Sequence, residues 1–306
     1  MPSRMPGAGA RGVYRLADPR ITLASAASML LGAAAAAGDG PLSWAWLAAT
    51  VAGIFCMETA KNASGEIVDF DSGADLAVAP EDRSPFSGGK RVLVDGLLSR
   101  GQVAAVAALG YFLAAAAGLA IAVAREPRVL PLGIAGAALA FFYHAPPLRL
   151  SYRGLGELAV AACYGPLIAC GTYLVQRGSV SREVLLASLP LGAMVAAFLW
   201  INEFPDTRAD RSAGKLTLVV RLGRRRATHA FFGLVTAAYA GVALLPVAGL
   251  PPAALLGLAG APPAFRAAHR LAIAYDDTAA LVPAQGWTLA SFLLLAAGEA
   301  AGLLLG

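Results

Sequence analysis

Two short stretches of this 306-residue chain concentrate oxygen ligands. The first runs from Glu58 through Lys61, Asn62, Glu66, Asp69 and Asp71 to Asp75, and the second from Asn202 through Glu203, Asp206 and Asp210 to Lys215. If the first is helical, Asn62, Glu66 and Asp69 stand at i, i+4 and i+7 and share one face. Asn202, Asp206 and Asp210 recur every four residues, although Pro205 is placed to break that helix locally. The separation from Asn62 to Asn202 equals that from Glu66 to Asp206, as if one half-motif were used twice. Carboxylates gathered so closely repel one another unless a cation lies between them. Oxygen donors without His or Cys suit Mg²⁺, which takes one or two carboxylates and completes its shell with water and substrate phosphate. Lys61, Arg83, Lys90 and Arg91 lie within or after the first stretch, Arg149 and Arg153 between the two, and Lys215 and Arg221 at or after the end of the second; they are cations a pyrophosphate would need. Lys215 and Arg149 stand out, being beside motif residues rather than in a basic run.

The elements that must position these groups are membrane helices. Apolar residues make up 58% of the chain and charged residues 14%, against roughly 45–50% and 25% in soluble domains. The apolar runs are long enough to cross a bilayer and lack the alternation of a barrel strand. We expect an all-α, polytopic membrane bundle of about nine transmembrane helices. The runs lie near 20–37, 43–61, 102–124, 129–145, 155–176, 184–203, 229–249, 252–270 and 283–305. The eighth is the weakest, because Pro262, Pro263, Arg266, His269 and Arg270 break or charge its second half. Residues 1–306 read as a single membrane-embedded domain with a flexible cytoplasmic N-terminus over 1–19. A signal-peptide reading of the first run stays open, given Arg4, Arg11 and Arg15 ahead of it.

Orientation follows from the 24 Lys and Arg residues. With the N-terminus inside and the C-terminus outside, all but Arg125, Arg128, Arg177 and Arg182 fall on the cytoplasmic face. The two long connections, at about 65–100 and 204–228, are then also inside, and they carry the acidic stretches. The net charge of +5 is accounted for by this placement, so nucleic acid is not an expected partner. The expected location is the inner (cytoplasmic) membrane, multi-pass, with the active site facing the cytoplasm. Cys56, Cys163 and Cys170 lie in apolar runs and read as small buried hydrophobes; His144, His229 and His269 are scattered and read as interfacial or packing residues. Glu299 in the last run reads as facing the bundle or snorkelling.

Three segments carry a likeness to a known family: Asn62 to Asp75 with its Ser72-Gly73-Ala74-Asp75 ending, Tyr143 to Glu157 with Gly154-Leu155-Gly156-Glu157, and Asn202 to Gly223. Together they resemble the UbiA superfamily of intramembrane aromatic prenyltransferases. Within it they are most similar to the 1,4-dihydroxy-2-naphthoate polyprenyltransferases of menaquinone, hence quinone, biosynthesis. The resemblance implies a nine-helix bundle around a cavity, with pyrophosphate held through Mg²⁺ between the two motifs and the isoprenoid tail in an apolar tunnel open toward lipid. It implies Asn62, Glu66, Asp69, Asp206 and Asp210 as metal ligands. Asp206, Asp210, Lys215 and Arg149 would carry the chemistry, and Lys61, Asn202, Tyr143, Arg91 and Asp75 would bind substrate. Two positions depart from the naphthoate pattern: Glu66 stands where Asp is usual and Gly65 where Asn is common. The implied partners are an isoprenyl pyrophosphate, an aromatic acceptor and the lipid bilayer.

Three other classes compete. 4-Hydroxybenzoate, homogentisate or a glyceryl lipid could replace dihydroxynaphthoate as acceptor. An ion-coupled transporter also uses intramembrane acids, but nearer mid-membrane and on broken helices. A CDP-alcohol phosphotransferase lacks its Asp-Gly and Ala-Arg run here, and no GxxxxGK[ST] loop is present to hold ATP.

Overall fold

The computed structural model describes residues 7–306, apart from the side chain of Arg20. Arg4 therefore lies outside the described residues. Among those described every regular element is helical, as expected where the backbone must satisfy itself away from water. In chain order the helices are α1 (Ala8–Ala17), α2 (Pro19–Gly38), α3 (Trp44–Asp71), α4 (Arg100–Ala124), α5 (Val129–Phe142), α6 (Gly156–Arg177) and α7 (Arg182–Ser212). Then come the short α8 (Leu218–Leu222), α9 (Arg224–Leu244), α10 (Ala261–Ala274) and α11 (Thr278–Leu305).

Six of these, α2, α4, α6, α7, α9 and α11, are long and apolar enough to cross a bilayer. The other expected runs are helical but differ in kind. α5 is apolar but has only 14 residues. α3 is long enough at 28 residues, yet its second half carries the acidic stretch. The eighth run is divided: Pro252–Gly260 is a 3₁₀ helix and α10 follows it. Pro262 and Pro263 lie in the first turn of α10, where a proline's missing N–H is no loss, so they start the helix rather than break it. Within the N-terminal segment expected to be flexible, Ala8–Ala17 forms α1, and Leu16 is completely buried.

α7 forms the centre. Leu191, Met194, Ile201 and Phe204 on it are fully buried among Leu31 of α2, Phe231 of α9, and Phe292 and Leu295 of α11. The helix runs unbroken through Pro205, contrary to the local break expected there. A proline removes one backbone bond, a loss of about 3 kcal/mol in an isolated helix; Ile201, Phe204 and Pro205 itself are buried in the packed interior, and the helix continues through it. Asn202, Asp206 and Asp210 consequently keep their shared face.

α6 does break, in a π-helical turn at Cys163–Leu167 containing Gly165 and Pro166. Pro166 removes a backbone donor there, and the glycines allow close packing on α7. A Cβ on Gly165 would stand 2.7 Å from the Ser188 carbonyl oxygen, and one on Gly192 would stand 2.4 Å from that of Ala161. Small residues at such crossings let membrane helices approach closely. The extra residue of a π turn re-aims the side chains around it; Tyr164 lies there, buried.

Candidate active site

α3 continues as one helix to Asp71, so Asn62, Glu66 and Asp69 occupy one face as their spacing requires. That face and the Asn202, Asp206, Asp210 face of α7 line a single cavity of about 660 Å³. Lys61, Asp75, Arg91, Tyr143 and Lys215 line it too. Lys215 ties the two motifs together: its Nζ is 3.4 Å from Asp69 Oδ2 and 3.6 Å from Asp210 Oδ1. Burial works to lower the Lys215 pKa, but Asp210 and Asp69 outweigh it and hold the ammonium well above the usual lysine range.

The ligand candidates are not equally engaged. Asn62 donates its side-chain N–H to the Leu16 carbonyl at 2.9 Å, fastening α1 to α3 and leaving its amide oxygen as acceptor. Glu66, one methylene longer than Asp, accepts from the Leu93 backbone N–H at 2.8 Å and so pins the loop 72–99 over the cavity. Asp69 is a hub. Its Oδ1 accepts from the Tyr152 hydroxyl at 2.7 Å and lies 3.7 Å from His144 Nδ1, while its Oδ2 faces Lys215. On α7, Asn202 Oδ1, Glu203 Oε2 and Asp206 Oδ1 are buried with no hydrogen-bond partner. Buried acceptors left unpaired are costly, and oxygens clustered this way suit a hard divalent cation with its water. Among the described residues no three His, Cys, Asp or Glu side chains close on one point like a structural metal site. Mg²⁺, which completes its shell with water and phosphate, does not require them to.

The loop 72–99 supplies further charge. Burial, with added repulsion from Asp69 and Glu66, pushes the Asp75 pKa up to about 7. Gly89, at φ 73°, passes so close that a Cβ there would lie 2.2 Å from Asp75 Oδ1. Arg91 lines the cavity while pairing with Asp95 at 3.1 Å, and Lys90 pairs with Asp18 at 2.5 Å.

Arg149 is placed differently from its sequence expectation. It does not line the cavity; its guanidinium stacks on the Tyr152 ring, 3.7 Å from the centroid. It supports the phenol that holds Asp69. Burial raises the Tyr152 pKa to about 12, keeping its hydroxyl a donor to Asp69. Glu157, in the Gly-Leu-Gly-Glu segment, accepts from the Leu218 N–H at 2.7 Å and so anchors the start of α8, whose N-cap is Thr217. The second and third sequence segments are thereby physically interlocked.

Tyr152, Glu203 and His144 line or support this site without having been singled out for it. His144, read from sequence as an interfacial or packing residue, lines the cavity beside Asp69. The fold pairs it with Gly65: a Cβ at that position would stand 2.6 Å from His144 Nε2, so the small residue and the imidazole fill one space between them.

A second cavity, of about 510 Å³, lies among α3, α4, α5 and α6 and is walled by apolar residues such as Ile54, Met57, Leu119, Ile134 and Leu167. Lys61, Tyr143, Val160 and Tyr164 line both cavities, so the polar and apolar spaces meet at these four side chains. A polar head and an apolar tail on one ligand would be divided at that boundary.

Residues 25–297 match the model of the UbiA prenyltransferase family. The chain belongs to this family. The 1,4-dihydroxy-2-naphthoate octaprenyltransferase of Bacillus subtilis is 24% identical over 78% of this chain and 74% of its own length. The enzyme of that name from Mycobacterium tuberculosis is 34% identical over 41% of this chain and 43% of its own. A UbiA prenyltransferase domain-containing protein of Dictyostelium discoideum is 34% identical over 37% of this chain, and the match spans only 34% of that relative. The fold is that of a UbiA homolog from Aeropyrum pernix, with a TM-score of 0.69, 23% identity, and coverage of 90% of this chain and 96% of that one. It is shared with a UbiA homolog from Archaeoglobus fulgidus described as bound to DMAPP and Mg²⁺, at a TM-score of 0.67 and 14% identity over 94% of this chain and 99% of that one.

Proposed function

We infer that this protein is a Mg²⁺-dependent prenyltransferase that moves a polyprenyl group from an isoprenyl pyrophosphate to an aromatic acceptor, with 1,4-dihydroxy-2-naphthoate of menaquinone synthesis as the leading acceptor. The observation that carries the reading is the junction of two cavities, one lined by both acidic motifs and Lys215 and the other apolar, meeting at Lys61, Tyr143 and Tyr164. The naphthoate prenyltransferases among its relatives favour that acceptor. The whole chain acts as one membrane-embedded unit of nine spans in the inner membrane, N-terminus inside, with the acidic cavity facing the cytoplasm; the distribution of Lys and Arg supports this.

Asn62, Glu66, Asp69, Asp206 and Asp210 would hold the metal, and Asn202 and Asp75, which line the same cavity, would bind substrate. Bound Mg²⁺ supplies Lewis-acid neutralisation of the pyrophosphate. Lys215, fixed between Asp69 and Asp210, and Lys61 and Arg91 at the cavity wall supply positive charge where the leaving group gains negative charge. Tyr143 borders both cavities, so its ring would flank the carbon that loses the pyrophosphate in this reading. Apolar walls exclude the water that would otherwise capture an allylic cation.

Asp206→Asn tests the metal assignment. We expect the variant to reach the membrane and to lose Mg²⁺-dependent binding of radiolabelled isoprenyl pyrophosphate; wild-type binding would remove Asp206 from the site.

A further inference from the structure

The acidic cavity has an apolar floor that neither a metal nor a pyrophosphate requires. The face of α7 that carries Asn202, Asp206 and Asp210 continues deeper into the bundle as Leu199, Phe198 and Val195, and these three line the same cavity. Ile21 and Ala24 of α2 complete the floor. Phe86 of the loop 72–99 meets it, its ring edge-on to Phe198 with centroids 5.9 Å apart at 83°. None of these six side chains lines the second, wholly apolar cavity.

The floor alone could be the uncovered top of the bundle core, where Phe198 also packs on Phe292 at 5.5 Å. Phe86 is different, because it comes from a polar loop that turns it inward. Ser84 Oγ accepts from the backbone N–H groups of Phe86 and Ser87, each at 3.0 Å, and lies 2.7 Å from Ser87 Oγ. A serine hydroxyl that closes a turn in this way fixes the direction of the next side chains. Just ahead of the turn, Asp82 accepts from Arg208 Nε at 3.0 Å, which fastens the loop to α7. A loop phenylalanine is thus held against a second phenylalanine inside a cavity whose other walls are carboxylates and cations. Paired rings with their faces and edges turned to a cavity suit a third ring.

The place of the floor also fits. Val160 and Tyr164 of α6 line both cavities, so α6 divides the floor, on its α2 and α7 side, from the second cavity, on its α3, α4 and α5 side. In the proposed reaction the reacting C1 lies at that boundary, between the pyrophosphate among the acids and the tail in the second cavity. Four helical residues, a rise of about 6 Å, separate Phe198 from Asn202. A flat ring on the floor therefore reaches C1 without taking the place of the tail or of the pyrophosphate.

We propose that this floor is the subsite of the acceptor: an aromatic ring lies against Phe86, Phe198 and Leu199, with Ile21 and Ala24 bounding it on the α2 side. The inference rests on the aromatic-acceptor reading above and deepens it by naming the side chains that receive the ring. Leu199, between the acids and Phe198 on the same helical face, limits the width of the ring system that fits.

The test uses the full chain in liposomes with Mg²⁺, radiolabelled farnesyl pyrophosphate, and 1,4-dihydroxy-2-naphthoate or 4-hydroxybenzoate. The affinity of each acceptor is read as its KM, or as its inhibition constant where it is not turned over. Phe86→Ala, at a half-buried loop position, should raise that constant for the naphthoate about tenfold, the scale of losing an aromatic contact, with the Kd for farnesyl pyrophosphate changed less than twofold. Phe86→Tyr, which keeps the ring, should restore most of the affinity. Leu199→Trp, which fills the floor, should weaken the two-ring naphthoate more than the one-ring hydroxybenzoate. Unaltered acceptor constants in both Phe86→Ala and Leu199→Trp overturn the proposal. So does an equal rise in the acceptor constant and in the farnesyl pyrophosphate Kd in both variants, which would make the floor a structural part of the whole cavity. Failure of the unaltered protein to prenylate any aromatic acceptor while still binding farnesyl pyrophosphate overturns the aromatic-acceptor reading, and this inference with it.

Discussion

At the scale of single residues the account turns on which oxygens are free and which are engaged. Asp75 gives a pH prediction. Its pKa of about 7 lies above the ordinary 3.8, so the folded chain binds its proton more tightly than the unfolded chain does. Without metal, this group's contribution to stability is therefore fully present below about pH 4 and falls as pH rises through 7. Thermal unfolding of the detergent-solubilised protein in EDTA should show that slope between pH 5 and 8, and Asp75→Asn should reduce it; an unchanged slope would remove Asp75 as a source. Gly65 and His144 form the second residue-scale case. Gly65→Ala should destabilise by about 1–3 kcal/mol, as overpacking does, and His144→Ser should relieve most of it in a double-mutant cycle. Additive effects would show that the two do not share space. The two acidic faces that share one cavity were legible because their spacing repeats, whereas His144 and Tyr152 were not, because each acts through a contact distant in sequence, on Gly65 and on Asp69. Arg149 was legible as a cation beside a motif, but only the fold turns it onto Tyr152.

At the scale of elements, the helices were readable from apolar runs and their ends were not. Pro205 is a helix breaker by rule and is carried within α7, buried in the packed interior. Pro262 and Pro263 sit at a helix start, a distinction that depends on where the preceding 3₁₀ segment ends. The π turn in α6 falls on Gly165-Pro166, a local break signal, where α7 also approaches closely. That crossing can be probed directly. Gly192→Val puts a branched side chain where even a Cβ would stand 2.4 Å from the Ala161 carbonyl oxygen. We expect a loss of thermal stability larger than that of Gly171→Val on the same pair of helices, since a Cβ on Gly171 meets nothing within 4 Å. Equal effects would show that the α6–α7 crossing tolerates separation. The loop 72–99 is an element hidden from the sequence. Its closure over the cavity depends on Glu66 reaching the Leu93 N–H, a contact the shorter aspartate of the naphthoate pattern would have to make differently. Glu66→Asp should accordingly raise hydrogen exchange at the amides around Val92 and Leu93; unchanged exchange would mean that Glu66 does not hold the loop.

At the scale of the whole molecule, the bundle holds two joined cavities of opposite polarity. Acids, Lys61, Arg91 and Lys215 face a polar cavity, apolar side chains face a second one, and the two meet at Lys61, Tyr143 and Tyr164. An isoprenyl pyrophosphate has that same division along its length. Membership in the UbiA prenyltransferase family supplies the reaction class, and the cavity arrangement supplies the reason each part of the chain is where it is. The central claim is tested most directly by incubating the purified protein in liposomes with radiolabelled isoprenyl pyrophosphate and a panel of aromatic acceptors, with Mg²⁺ or with EDTA. The account predicts a labelled prenylated product, formed with dihydroxynaphthoate, in the presence of Mg²⁺ and absent with EDTA. No product with any aromatic acceptor, or equal product in EDTA, would contradict it.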